Sequence, residues 1–365
     1  MQPFVYNALP ARVIFGWDTS EQVADEVLRL GCKRAIVLTT AQQVSSGQKV
    51  LKDLGDLGVG IYSNATMHTP IHITLDALKV AQELQADVCV AVGGGSTIGL
   101  GKALALHSSN EKKLKQIAIP TTYAGSEATP IIGQTEIDKE AKSLKTTQRT
   151  LNVLPDVIIY DINLTLTLPT QMTTTSGLNA IAHAVEALWA PEANPIISNL
   201  ALQGIKAISQ SFPLIRKDPK DPKGRSNALF GAWSCGTCLG AVGMSLHHKL
   251  CHTLGGTFGM PHAETHAIIL PHAVAYNAPF ATDEVEEIRI ALNLQQGISA
   301  AQGLFDVLEN NNIPCSLKEL GFKQEDLRRA AEIAVRSPYP NPAPLEEEKI
   351  FHLLSNAYHG IRPAI

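Results

Sequence analysis

The chain lacks any marked excess of charge. Its 365 residues carry 30 Lys and Arg against 34 Asp and Glu, a formal net charge of −4, and basic residues cluster nowhere beyond the short segment KDPKDPKGR. Nucleic acid and anionic membrane are therefore not expected as partners. The N-terminal stretch MQPFVYNALPARVIFG has neither the basic start nor the apolar core of a secretory signal, so the expected location is the cytoplasm. Cysteine is sparse: Cys32, Cys89, Cys235, Cys238, Cys251 and Cys315 are spaced too irregularly for a disulfide framework and are expected to be reduced. Cys235 and Cys238 form a single CxxC with no second pair, which suits small residues packed in a helix better than a redox or zinc motif. Internal repeats and low-complexity tracts are missing too. One uncharged run, Ser226 to Leu246, approaches membrane-span length, but it carries four glycines and leads into a group of histidines. It reads as a buried helix beneath a reaction centre.

The length suits two domains of ordinary size, and 45% hydrophobic with 18% charged residues is typical of a globular enzyme. In the first half RAIVLTT (Arg34 to Thr40), VGIYSN (Val59 to Asn64), DVCVAVG (Asp87 to Gly93), QIAIPTT (Gln116 to Thr122) and VIIYD (Val157 to Asp161) are short, β-branched and apolar, with helical stretches such as Thr74 to Leu84 between them. That alternation predicts a parallel α/β sheet. Gly133 to Thr146 alternates apolar and polar residues around Asp138 to Glu140 and reads as a hairpin. After Leu168 to Thr170 the chain turns helical, with runs at Ser176 to Trp189, Pro195 to Ile215 and Ser226 to Leu254, and a solvated lysine-rich loop at Lys217 to Arg225. The expected fold is α/β plus all-α: a parallel-sheet dinucleotide-binding domain over 1–162, an all-helical domain over 163–365, and a ligand cleft between them.

DVCVAVGGGSTIGLGKALAL runs from a strand through Gly93, Gly94, Gly95 and Ser96 into a helix. Glycines let the backbone approach a diphosphate, and a helix start offers unpaired N–H groups and the positive end of a dipole. Neither the Walker nor the GxGxxG register fits. A second loop, PTTYAGSEATP from Pro120 to Pro130, also follows a strand and is dense in hydroxyl groups. Two such loops at strand carboxyl ends in one sheet fit the switch-point rule and favour a dinucleotide over a purely structural turn. The candidate cofactor residues are Thr39, Thr40, Gly93, Gly94, Gly95, Ser96, Lys102, Thr121, Thr122, Ser126 and Thr129. No carboxylate follows Thr39 and Thr40 until Asp53, so acceptance of both NADH and NADPH is expected.

Of 12 histidines, six fall between His247 and His272. His248 and His252 are four residues apart, as are His262 and His266, and upstream Asn179 and His183 repeat the interval. On a helix each pair shares a face. Three converging pairs would suit a divalent metal, except that the amide Asn179 stands where a carboxylate ligand would be wanted. An isolated histidine in an apolar segment is more often a hydrogen-bonded core residue, so His107, His352 and His359 are assigned structural or surface roles, and His68 and His72 line a loop around Pro70. His247 and His272 are the weakest members of the cluster. NPAPL, Asn341 to Leu345, reads as a rigid turn bordering the cleft.

GGGSTIGLGKALAL, PTTYAGSEATPIIGQTE, SGLNAIAHAVEALWAPEANPI and HTLGGTFGMPHAETHAIILPH together resemble the iron-containing alcohol dehydrogenase family, whose fold is shared with dehydroquinate synthase and glycerol dehydrogenase. PHAETH is the most specific, since metal-dependent relatives usually carry PHG there, and it points to the maleylacetate reductase branch. In metal-dependent members an Asp and a His on one helix and two further histidines hold the ion. Those positions map here to Asn179, His183, His248 and His262. Gly99 is a second departure, where many metal-dependent relatives carry aspartate. The resemblance implies a homodimer that reduces a carbon–carbon double bond of maleylacetate with NADH or NADPH, giving 3-oxoadipate in aromatic-compound catabolism, with no metal.

That chemistry can dispense with a Lewis acid. Hydride addition to the alkene carbon β to a ketone moves charge onto an enolate oxygen, which a cationic imidazole or other donor can stabilise, and a proton then goes to the neighbouring carbon. His252 is the expected proton donor or enolate stabiliser. His183, His248 and His262 would orient the substrate, with His266 assisting, Asn179 hydrogen-bonding and Tyr123 near the nicotinamide; the histidines would also meet the charge of a dicarboxylate. The competing readings are a metal-dependent alcohol or polyol dehydrogenase with Asn179, His183, His248 and His262 as ligands, a dehydroquinate synthase-like lyase that uses NAD catalytically, and a non-enzymatic dinucleotide-binding module.

Overall fold

The computed structural model describes residues 4–9, 11–108, 113–137, 143–337 and 339–364. Two compact units divide between Leu168 and Pro169, past the expected boundary at 162, and the described residues of Met1–Asn7 belong with the second.

The first unit is a six-stranded parallel sheet. Its elements in chain order are β1 (Arg12–Gly16), α1 (Val23–Arg29), β2 (Ala35–Leu38), α2 (Val44–Asp53), β3 (Gly58–Tyr62), α3 (Ile71–Glu83), β4 (Val88–Gly93), α4 (Gly95–His107), β5 (Lys115–Pro120), the hairpin strands β6 (Ile131–Ile137) and β7 (Ser143–Arg149), and β8 (Val157–Asp161). The strand order is β1-β8-β5-β4-β2-β3. Central β4 is buried along its whole length, as a parallel strand covered on both faces must be. Its side chains alternate: Val88, Val90 and Val92 pack with Val23, Val27 and Val50 of α1 and α2, whereas Cys89 and Ala91 pack with Ala77, Leu78 and Leu100 of α3 and α4. From β2 the chain moves outward to β3, and from β4 it moves the other way to β5, so the switch point lies between β2 and β4.

Every strand read from the sequence is present. β1 was not foreseen: ARVIFG is half exposed and pairs only with β8, far along the chain. The hairpin is antiparallel, Ile131 opposite Arg149, while its expected turn at Asp138 to Glu140 lies outside the described residues.

The second unit is helical: α5 (Thr170–Leu188), α6 (Pro195–Lys217), α7 (Pro222–Ala241), α8 (Leu246–Phe258), α9 (His262–Asn277), α10 (Thr282–Ala291), α11 (Ala300–Asn310), α12 (Leu327–Val335) and α13 (Glu347–His359). Helix α5 is buried from Thr173 to Leu188 and packs against α6, α7 and α9, which explains its apolar character all round. Two expectations need correction. The run Ser226 to Leu254 is not one helix, because α7 and α8 meet at 94° across Val242 to Ser245. The segment Lys217 to Arg225 is not wholly a solvated loop either. Pro222 opens α7, Asp221 caps it through the Gly224 N–H, and Arg225 is fully buried with Nε on the Pro219 carbonyl and Nη1 on Thr173 Oγ1. Cys235 and Cys238 are free thiols buried inside α7. Among the described residues no single helix is long and apolar enough to cross a membrane.

Candidate active site

The two sheet-unit loops lie side by side at the carboxyl ends of β4 and β5, where Gly93 is in register with Pro120 and its carbonyl accepts the Thr121 N–H. Gly94 is the N-cap of α4 and no side chain caps that helix. A Cβ at Gly94 would sit 2.9 Å from Thr122 Cγ2, so the approach of the two loops requires glycine there, while one at Gly95 would meet nothing within 4 Å. An uncapped helix start below an open glycine turn fits a diphosphate in kind. Thr40, Gly94, Gly95, Ser96, Thr122 and Ser126 are accessible around it. Thr39, Lys102, Thr121, Tyr123 and Thr129 are buried. Thr121 Oγ1 accepts from Gln43 Nε2 at 2.7 Å, and Lys102 Nζ donates to the carbonyls of Ser126, Thr129 and Ile131. Lys102 therefore braces the second loop against α4. Gly99 is pressed by the neighbouring loop: a Cβ there would lie 2.4 Å from Thr69 Oγ1.

In the helical unit the three spaced pairs do lie on helices, Asn179 and His183 on α5, His248 and His252 on α8, His262 and His266 on α9. The rings converge. His183 stacks on His248 with centroids 5.0 Å apart; His248 lies 5.1 Å from His266 and 6.1 Å from His252, and His262 lies 4.3 Å from His266. Asn179, His183, His248 and His266 are buried, whereas His252 and His262 face outward. Asn179 Oδ1, His183 Nδ1, His248 Nε2 and both ring nitrogens of His266 are buried polar atoms with no hydrogen-bond partner. Such atoms are expensive to leave unmet, and their concentration on one cluster makes it the candidate site.

Beneath the cluster lies Glu186, which is not among the residues expected in the site. It follows Asn179 and His183 at the next turn of α5, an interval that could have drawn attention to it. Its carboxylate, fully buried, accepts the backbone N–H of Ser245 at 2.9 Å and of His247 at 2.6 Å, the Ser245 hydroxyl at 2.8 Å and His248 Nδ1 at 2.7 Å. Helix α8 has no side-chain cap from Ser245 itself, so an anion from α5 meets its N-terminus and fixes the break after α7.

The remaining histidines are accounted for. His247 Nε2 donates to the His266 carbonyl at 3.0 Å, and His272 is buried against Phe305. His107 meets Gln134 at 3.1 Å, and His68, His72, His352 and His359 are exposed. Asn341 of the NPAPL turn bonds Asn277 at the end of α9 and accepts from the Leu246 N–H at the start of α8, so the turn does border the histidine helices.

Burial, and then repulsion by neighbouring imidazoles, holds His183 and His266 well below the ordinary histidine value. His248 is lowered for the same reasons, and His247 falls to about 3. Of the two expected means of meeting a dicarboxylate, positive charge or several donors, these lowered values favour the second for the buried rings.

As a test for the family's ion, the unmet oxygen of Asn179 and nitrogens of His183 and His248 are ligand atoms in kind. All are neutral, however, and the carboxylate beside them, Glu186, is already occupied by four donors. The donor set therefore offers neutral ligand atoms, with an amide where metal-dependent members carry a carboxylate.

Residues 10–162 match the description "Iron-containing alcohol dehydrogenase" and residues 173–358 match "Fe-containing alcohol dehydrogenase family, C-terminal". The chain belongs to the iron-containing alcohol dehydrogenase family. Within it, maleylacetate reductase from Rhizobium sp. (strain MTP-10005) is 48% identical over 363 residues, covering 100% of both chains. Maleylacetate reductase from Sphingobium indicum is 49% identical over 360 residues, covering 99% of each. The crystal structure of maleylacetate reductase from Agrobacterium tumefaciens superposes with a TM-score of 0.93 at 49% identity, with 100% of both chains covered.

Proposed function

We propose that this enzyme reduces the carbon–carbon double bond of maleylacetate to 3-oxoadipate with NADH or NADPH, as a cytoplasmic homodimer and without a catalytic metal. The full-length likeness to maleylacetate reductases supports the substrate. The observation that carries the mechanism is the neutral amide of Asn179, buried one turn from His183 at the position where metal-dependent members carry a carboxylate.

The glycine-rich and hydroxyl loops would hold the nicotinamide cofactor, which when bound would provide the hydride. The dicarboxylate is held by hydrogen bonds from the NH₂ group of Asn179 and from ring N–H groups of His183 and His262, and the uncapped N-terminus of α9, at His262, adds N–H donors suited to a carboxylate. His252, exposed at the rim, can exchange protons with solvent and delivers one to the carbon adjacent to the ketone. A donor at the enolate oxygen suffices because charge there is delocalised, whereas reduction of a simple carbonyl leaves a localised alkoxide that calls for a Lewis acid.

The deciding experiment compares metal-free protein on maleylacetate with simple alcohols and aldehydes. Consumption of one NADH per maleylacetate with no turnover of alcohols supports the reading. Activity on alcohols that depends on added Zn²⁺ or Fe²⁺ overturns it.

A further inference from the structure

A dicarboxylate brings two charges that lose water on binding, which is costly unless a cation pairs with them. The three helices that carry the cluster, α5, α8 and α9, contain a single Lys or Arg between them, Lys249. It follows His248 directly and precedes His252 by three positions, so on α8 it shares a face with the outward histidine. His248 is buried, Lys249 is partly exposed and His252 is exposed, which puts the ammonium at the rim of the cluster rather than in its interior. The Nζ atom lies 5.7 Å from the centroid of the Tyr339 ring, within range of a cation–π interaction. The Tyr339 hydroxyl is closed to solvent and has no hydrogen-bond partner, so the face of the ring, not the oxygen, is what meets the ammonium. Asn341, two residues on, fastens this segment to the start of α8 and the end of α9 through the Leu246 N–H and Asn277. Among the described residues Lys249 forms no ion pair with an Asp or Glu, which leaves its three N–H donors for an incoming anion.

We propose that Lys249 makes the site select a dicarboxylate: its ammonium, steadied by the Tyr339 ring, pairs with one carboxylate at the rim, while the donors of the cluster take the other. His252, one turn further along α8, then lies beside the substrate it protonates. The inference rests on the reductase reading and adds to it the residue that separates a diacid from a monoacid. A cation at the rim suits that task, because it stays hydrated in the empty site and gives up little on pairing, whereas a lysine in the interior would lose its water before any anion arrived.

The test uses the full-length enzyme, maleylacetate and two enone monoacids, one keeping only the carboxylate on the alkene and the other only the carboxylate on the methylene, each measured as substrate or competitive inhibitor. Lys249→Met should raise KM for maleylacetate by about 10- to 100-fold, with kcat changed less than about threefold and the dissociation constant for NADH unchanged, and Lys249→Arg should recover part of the loss. The penalty should vanish for the monoacid that lacks the paired carboxylate and persist for the other, whereas a purely structural lysine would weaken both alike. A folded Lys249→Met enzyme with wild-type KM for maleylacetate, or with the same loss on both monoacids, overturns the proposal. If Lys249→Met does not fold, Lys249→Gln carries the same comparison. Wild-type enzyme inert on maleylacetate would sink the reductase reading and this proposal with it, a failure visible before any variant is made.

Discussion

The amine nitrogen of Lys102 lies 2.9 Å from both the carbonyl and the hydroxyl oxygen of Thr129, in a position closed to solvent. Lys102 sits on α4, the helix that opens at the glycine-rich turn, and Thr129 sits on the loop after β5, so one side chain sets the distance between the two loops. Lys102→Met would leave several buried carbonyls without donors. We expect a loss of about 2–4 kcal/mol in urea denaturation and a rise in KM for NADH that exceeds any fall in kcat. An unchanged midpoint would show that the carbonyls find other donors.

Replacing His252 separates proton delivery from cofactor binding. His252→Ala or His252→Gln should lower kcat by roughly 100-fold while the dissociation constant for NADH, followed by fluorescence titration, stays put. Full turnover by either variant would remove His252 from the mechanism.

Asn179→Asp restores an anionic group at the position where metal-dependent relatives carry one. Elemental analysis of protein purified without chelator should find little bound metal in the wild type and substantially more in the variant, and EDTA should leave wild-type activity intact. Stoichiometric iron or zinc in the wild type, lost together with activity on chelation, would contradict the proposed mechanism.

Acid should weaken the fold through its buried imidazoles. Burial lowers His272 from 6.5 to about 4. The unfolded chain therefore binds more protons than the folded one between those values, so the contribution is complete above about 6.5 and is lost as pH falls through about 4. His247, lowered to about 3, acts in the same direction. Urea midpoints should drop on going from neutral pH toward about 4, and His272→Leu should flatten that slope. A slope identical to wild type would assign the acid sensitivity to other groups.

Much of this site is legible in the chain as text. The interval of four between Asn179 and His183, His248 and His252, and His262 and His266 specifies shared helical faces wherever those segments are helical, because side-chain direction on a helix repeats every 3.6 residues. The β-branched strands and the glycine turn after β4 likewise depend on local patterns, and so does the absence of a carboxylate at Asn179.

Other features have no local cause. Nothing in VGMSLHHK by itself requires α7 to stop and α8 to start at 94°; the break is held by Glu186, some sixty positions earlier, which reaches the Ser245 and His247 amides from α5. β1 exists as a strand because β8 offers it a partner, and Lys102 becomes a brace because the fold surrounds it with the carbonyls of Ser126, Thr129 and Ile131. The acid–base behaviour of the cluster has the same origin: an isolated histidine titrates near neutrality, and packing His183, His247, His248 and His266 together out of water moves all four below that value. Residue types and spacing determined which groups could meet on one face, whereas contacts between distant helices decided which of them are buried and which partners they meet, because burial and hydrogen bonding depend on segments far apart in the chain.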